Sequence, residues 1–170
     1  EACSPAPLGL ASFGPVRVRH LASVAAGDRL RRFALQASHD AFSKGHRVAV
    51  HPEARLVEGD LGDPAALGRA LEGAEGVVHF AGLLSVADSV GDPASYYRVN
   101  VVKGLALLDA MARAGVPAIV FSSSCATYGV PLSTPMAEDH PQRPINPYGA
   151  TKLAFERALA DYAAAGGPRA

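Results

Sequence analysis

Three times in this chain an aspartate or asparagine stands directly before a proline, at Asp63-Pro64, Asp92-Pro93 and Asn146-Pro147. The short polar side chain accepts from the N–H groups that open a helix, and proline is pre-set for the first helical position. Ahead of each pair lies a short apolar run: RLVE at 55–58, GVVHF at 76–80 and AIVF at 118–121. The first helix is expected to stop at Gly73. The second runs to Gly115 with room for a break near Asn100, and the third ends near Gly166-Gly167. Strand, helix, strand, helix, strand, helix predicts an α/β fold: a parallel sheet with flanking crossover helices, its strands buried on both faces. Such sheets bind ligands beyond the C-terminal ends of their strands. Asp60, then Phe80-Ala81-Gly82, then Ser122-Ser123-Ser124 therefore fall along one edge of one crevice.

Composition narrows what the crevice serves. Lys plus Arg and Asp plus Glu number 16 each, so no net field draws the chain to nucleic acid or an anionic membrane. No apolar run approaches the roughly 20 residues of a membrane span. Two cysteines, Cys3 and Cys125, make no disulfide framework and point to a reducing compartment, so a cytoplasmic setting is expected. The six histidines show no metal-ligand spacing, so no metal is expected. His79, at a strand end, reads as packing, as does the pair Tyr96-Tyr97 without a basic surface beside it. Cys125 reads as a small buried residue, since no His/Asp arrangement marks it as a nucleophile.

The chemistry concentrates between 118 and 152. Tyr148 and Lys152 are four apart at the start of the last helix, so they share a face one turn from each other. A free tyrosine has a pKa of about 10, and bringing such a group to about 7 takes about 4 kcal/mol. An ammonium one turn away and a cationic ring nearby act in that direction. Ser124, delivered by the strand end, is placed to hydrogen-bond the reacting oxygen or relay its proton. A tyrosine and lysine at this spacing are common as an ordinary exposed pair. The strand-borne serines upstream and the unit NPYGATK turn the balance towards a proton-transfer site.

The run LVEGDLGDPAALGRALEGAEGVVHFAGLLSVADSV, then YYRVNV, FSSSCATYG and EDHPQRPINPYGATKLAFE, closely resembles UDP-glucose 4-epimerases of the extended short-chain dehydrogenase/reductase superfamily, over about 40–166. The resemblance implies a Rossmann fold holding NAD, with Ser124, Tyr148 and Lys152 as the catalytic set and Ser124 and Tyr148 also meeting the substrate. It places Asp60 and Leu61 at the adenine, and Phe80, Ala81, Gly82, Leu83 and Leu84 along the cofactor. Asn100 joins them from the central helix, beside Tyr148 and Lys152. DAFSKGHR from Asp40 looks like the family's segment after the second strand, where an acid takes the ribose hydroxyls and favours NAD over NADP. The implied reaction takes the C4 proton of a UDP-sugar to Tyr148 and its hydride to NAD. The 4-keto sugar turns and the hydride returns to its other face, interconverting UDP-glucose and UDP-galactose. A homodimer through the two long helices, about 93–114 and 147–165, is also implied.

Departures from the family are local. Gly9, Gly14 and Gly27 lack the spacing of a glycine-rich phosphate loop, and no strand is evident before them. Residues 1–39 thus read as an atypical N-terminal segment, unrelated or out of frame, ahead of a partial NAD-binding domain over 40–170. Their Arg- and Ser-rich composition also fits a targeting segment, with a plain Ala/Arg-rich stretch as the simpler alternative. The first residue is Glu, and the C-terminal lobe that grips the sugar nucleotide is missing, so the chain reads as a fragment expected to hold NAD weakly and turn over little. Lys103-Gly104 stand where many relatives carry Gly-Thr. Sugar-nucleotide 4,6-dehydratases carry an acid pair after the catalytic strand; here that position is Ser-Ser-Cys, which disfavours dehydration. Epimerases of other UDP-sugars, and a non-catalytic nucleotide-binding fragment, remain as alternatives.

Overall fold

The computed structural model describes residues 18–21, 33–37 and 56–170. Its strands are β1 Val18–Leu21, β2 Phe33–Ala37, β3 Val57–Gly59, β4 Gly76–His79 and β5 Ile119–Phe121. They form one sheet in the order β3-β2-β1-β4-β5, with every neighbouring pair parallel. The chain steps outwards from β1 to β3, then returns to the other side of β1. That reversal opens a crevice beyond the C-terminal ends of β1 and β4.

β1 and β2 come from the stretch whose sequence shows little periodicity. Backbone pairing on both sides holds β1: Leu21 is in register with Leu35 of β2 and with His79 of β4. The segment LRRFAL, open between helix and strand from sequence, contributes its last residues to β2. A strand therefore does precede Gly27, contrary to the expectation that none leads into those glycines. Asp40 lies outside the described residues, and so do the three glycines.

The helices begin where the sequence indicates. Asp63 caps α1 (Pro64–Leu71) by accepting from Ala65 N at 2.9 Å, and Asn146 caps α5 (Pro147–Ala164) by accepting from Gly149 N at 2.8 Å. An additional helix, α2 (Val86–Gly91), opens at Ser85, whose Oγ accepts from Asp88 N at 3.2 Å. It escaped the sequence reading because it is short and ends on Asp92, the cap of the next helix, α3 (Pro93–Tyr96). The break expected near Asn100 is a π-helical turn over Tyr97–Val102, which leads into α4 (Lys103–Ala114). Such turns are rare and are found often at functional sites.

Leu67 and Leu71 of α1, Leu107, Leu108 and Met111 of α4, and Phe155 of α5 bury against Val77 and Ile119. The three helices thus share one face of the sheet. Val120, between Ile119 and Phe121, points to the other face and is 64% exposed. Burial on both faces, expected from the apolar run, holds for one face at β5. At the far edge of β5 a further parallel pairing begins: Ile119 N donates to Arg169 O and Arg169 N to Pro117 O, each at 2.9 Å.

Candidate active site

Beyond the end of β5 the chain carries Ser122, Ser123 and Ser124 into a 3-10 turn at Cys125–Thr127. Ser124 caps that turn: its Oγ accepts from Ala126 N at 3.2 Å and its carbonyl accepts from Thr127 Oγ1 at 2.9 Å. A hydroxyl that accepts in this way still has its own hydrogen to donate. The start of α5 lies directly against the turn. A Cβ added to Gly149 would sit 2.3 Å from the Ala126 carbonyl oxygen, so only glycine allows the helix residue after Tyr148 to come this close. This contact joins the Ser124 turn to the Tyr148 helix.

α5 turns one face inward with helical period: Thr151, Lys152, Phe155 and Leu159 are all buried, beginning three residues after Tyr148. Lys152 is only 6% exposed. Its Nζ donates to the Ser122 carbonyl at 2.9 Å, stands 4.7 Å above the Phe121 ring and lies 5.9 Å from the Tyr148 ring centre. Burial pulls its pKa down to about 8, against an opposing pull from the Glu156 carboxylate. Beneath it His79 is buried, its ring 5.5 Å from Phe121 and 5.3 Å from Phe155, with Nδ1 lacking a hydrogen-bond partner. Desolvation first and the Lys152 charge second lower the His79 pKa to about 3, so this histidine is a neutral packing group. That agrees with its reading as packing.

A second cluster connects β4 to the helices. Asn100, buried in the π-helical turn, accepts from Leu83 N at 2.8 Å through Oδ1; through Nδ2 it donates to Leu83 O at 3.0 Å and to Thr151 Oγ1 at 3.1 Å. Thr151 Oγ1 in turn donates to the Tyr148 carbonyl at 2.8 Å. Asn100 thus fastens the loop after β4 to the first turn of α5. Gly82 makes room for it, since a Cβ there would lie 2.8 Å from Asn100 Oδ1. Tyr96 packs edge-on to Tyr148, ring centres 6.4 Å apart, and its hydroxyl donates to the Ser85 carbonyl at 2.5 Å. Tyr97, its neighbour in the expected packing pair, is instead 45% exposed.

The other sequence-derived positions divide by role. Asp60, at the end of β3, accepts from Gly62 N through Oδ1 and from Lys103 Nζ through Oδ2, both at 2.7 Å. Lys103, one of the departures noted in the sequence, thus ties α4 to the turn after β3. Leu61 and Ala81 are core residues, while Phe80 and Leu84 are exposed along the crevice edge. Cys125 is exposed, correcting its reading as a buried residue: the 3-10 turn places it on the outside. Thr151, Glu156 and the Ser122 carbonyl were not singled out from sequence. Thr151 was within reach of helical period from Tyr148; a backbone carbonyl leaves no trace in a sequence.

A parallel sheet whose strand order reverses at β1, with a serine-bearing strand end packed against the helix that carries a tyrosine and a buried lysine, is a Rossmann-like fold of the dinucleotide-binding class. The chain belongs to the NAD dependent epimerase/dehydratase family, whose model matches residues 20–170. It is similar to the UDP-glucose 4-epimerase of Corynebacterium glutamicum, 51% identical over 128 residues that cover 75% of this chain and 39% of that protein. Among solved structures it resembles UDP-glucose 4-epimerase from Brucella ovis in complex with NAD, with 47% identity and a TM-score of 0.73. That match covers 78% of this chain and 41% of the other. The Bifidobacterium longum UDP-glucose 4-epimerase, in complex with NAD+ and UDP, matches with 38% identity and a TM-score of 0.64, covering 69% and 36%. The chain therefore spans about two fifths of the length of these relatives.

Proposed function

We propose that the chain is the cofactor-side part of a UDP-glucose 4-epimerase, acting with NAD on the C4 centre of a UDP-sugar. The observation that carries this reading is Lys152, buried at 6% exposure, anchored on the Ser122 carbonyl and facing the Tyr148 ring. A cation held without solvent around it acts strongly on an oxygen that is giving up a proton. In this reading Tyr148 takes and returns the C4 hydroxyl proton and Lys152 supplies the neighbouring charge. Ser124 donates its hydroxyl hydrogen to the sugar oxygen.

The described residues fit an adenine dinucleotide. The crevice lies at the reversal of strand order, Asp60 presents a carboxylate at the β3 end, and Gly82 leaves the β4 loop without a Cβ. Asp60 and Leu61 would hold the adenine end, and Phe80, Ala81, Gly82, Leu83 and Leu84 the central stretch, with Asn100 fixing that loop. When bound, NAD supplies reversible acceptance of hydride from the sugar carbon. Lys152 and Tyr148 would also border it. The absence of an acid pair after Ser124 favours epimerisation over dehydration. A reducing cytoplasm suits the exposed thiol of Cys125. Exposed Tyr97 and Val102 on the long helical segment suit a homodimer through the two long helices.

The test is a coupled assay on UDP-galactose with Tyr148→Phe as control, beside an NAD titration of both proteins. The expected result is slow turnover by the parent chain and a further loss of at least about a hundredfold in the variant. Equal turnover by the two removes Tyr148 from the mechanism. NAD binding with turnover by neither favours a nucleotide-binding role without catalysis.

A further inference from the structure

Lys152 is a cation in an apolar setting, and burial alone drives an ammonium towards the neutral amine. The groups packed around it give little relief. Phe121 of β5 offers only its ring face, His79 of β4 is neutral, and Tyr148 of α5 presents its aromatic ring. The opposing charge is the carboxylate of Glu156, one turn further along the same face of α5.

That carboxylate is held from two directions. Ser123 Oγ, at the end of β5, donates to Oε1, and Gln142 Nε2, from the loop leading to α5, donates to Oε2 at 2.7 Å. Both oxygens are engaged, so the carboxylate keeps its station between strand end, loop and helix. Ser123 also lies between Ser122, whose carbonyl receives Lys152 Nζ, and Ser124, which opens the 3-10 turn. One short stretch of chain therefore binds both the cation and its counter-charge.

We propose that Glu156 is a positioning residue: a fixed counter-charge, clamped by Ser123 and Gln142, that keeps Lys152 an ammonium in its buried place beside Tyr148. Its use in catalysis rests on the proposed role of Lys152, whereas the ionisation of Lys152 is measurable whether or not that role holds. The chain has three lysines, Lys44, Lys103 and Lys152, so a protein labelled with 13C at lysine Cε gives a spectrum in which Lys152→Met assigns the resonance.

Glu156→Gln keeps the length of the side chain and an acceptor for Ser123 while removing the charge. The Lys152 titration midpoint should fall by about one pH unit, a tenfold drop in the protonated fraction at a given pH above the midpoint. Glu156→Asp, which retains the charge but draws back from both donors, should recover most of that shift. A purely structural role reverses this order, with Asp the more disturbed variant. A midpoint in Glu156→Gln equal to the parent's overturns the proposal. Should Glu156→Gln not fold, Glu156→Met combined with Ser123→Ala decides, because it removes donor and acceptor together and strands neither. Its Lys152 midpoint should fall by a similar amount; one equal to the parent's refutes the counter-charge, and failure of the epimerase assay leaves this measurement untouched.

Discussion

His79 makes the stability of this fold depend on pH in a calculable way. The folded state holds the ring neutral down to about pH 3, through burial and the Lys152 charge, whereas an unfolded histidine protonates near 6.5. Above 6.5 neither state binds the proton, and the contribution of His79 to stability is fully present. Below it the unfolded chain gains a proton that the folded chain refuses, so stability falls at a limiting slope of about 1.36 kcal/mol per pH unit. Between pH 7.5 and 5.0 the loss from this one group comes to about 2 kcal/mol. That is a large share of the 5–15 kcal/mol typical of folded domains. His79→Leu fills a similar volume between Phe121 and Phe155 and removes the partnerless Nδ1. It should match or exceed the parent at pH 7.5, because an unpaired buried polar atom costs about 1–3 kcal/mol. Urea unfolding followed by circular dichroism at pH 7.5, 6.5, 5.5 and 5.0, at constant ionic strength, measures both proteins. The other five histidines and the carboxylates titrate alike in both, so they cancel in the difference. Equal losses in parent and variant between pH 7.5 and 5.0 refute the claim that the ring is held neutral by burial.

Lys152 gives the complementary effect at alkaline pH. Its folded pKa of about 8 lies below the unfolded value near 10.5, so stability rises as pH climbs from 8 towards 10.5. Between pH 7.5 and 9.5 the parent should gain about 2 kcal/mol relative to Lys152→Met in the same urea assay. Asn100→Ala strands Leu83 N and Leu83 O, takes one of its two partners from Thr151 Oγ1, and should cost about 2–4 kcal/mol in thermal or urea unfolding. Gly82→Ala pushes a Cβ onto Asn100 Oδ1 and should destabilise by about 1–3 kcal/mol. With Asn100 already truncated the same change should cost less, so a strictly additive double-mutant cycle would refute the steric account. Gly149→Ala drives a methyl into the Ala126 carbonyl, which is backbone and cannot swing aside. A melting temperature within a degree of the parent's would contradict the close approach of α5 to the serine turn.

Much of this protein is a local matter, and local matters are legible in a sequence. Asp63, Asp92 and Asn146 cap their helices because side chain and target N–H lie two or three residues apart. Tyr148 and Lys152 share a face because a helix repeats every 3.6 residues. The break near Asn100 was also visible there, though not its π-helical form. By contrast, β1 and β2 rest on pairing with strands distant in the chain, which no run of four or five residues announces. The place of Cys125 depends on how the 3-10 turn faces, and the exposure of Val120 on which side of the sheet the helices cross. Only tertiary structure decided what surrounds the candidate site. It put Ser122 O under Lys152, Glu156 between Ser123 and Gln142, and Asn100 between Leu83 and Thr151. A sequence states which groups are able to ionise or to donate. Their charge and strength depend on burial and on partners brought from other elements, so an amine of ordinary basicity becomes a buried lysine of lowered pKa only once the chain has folded around it.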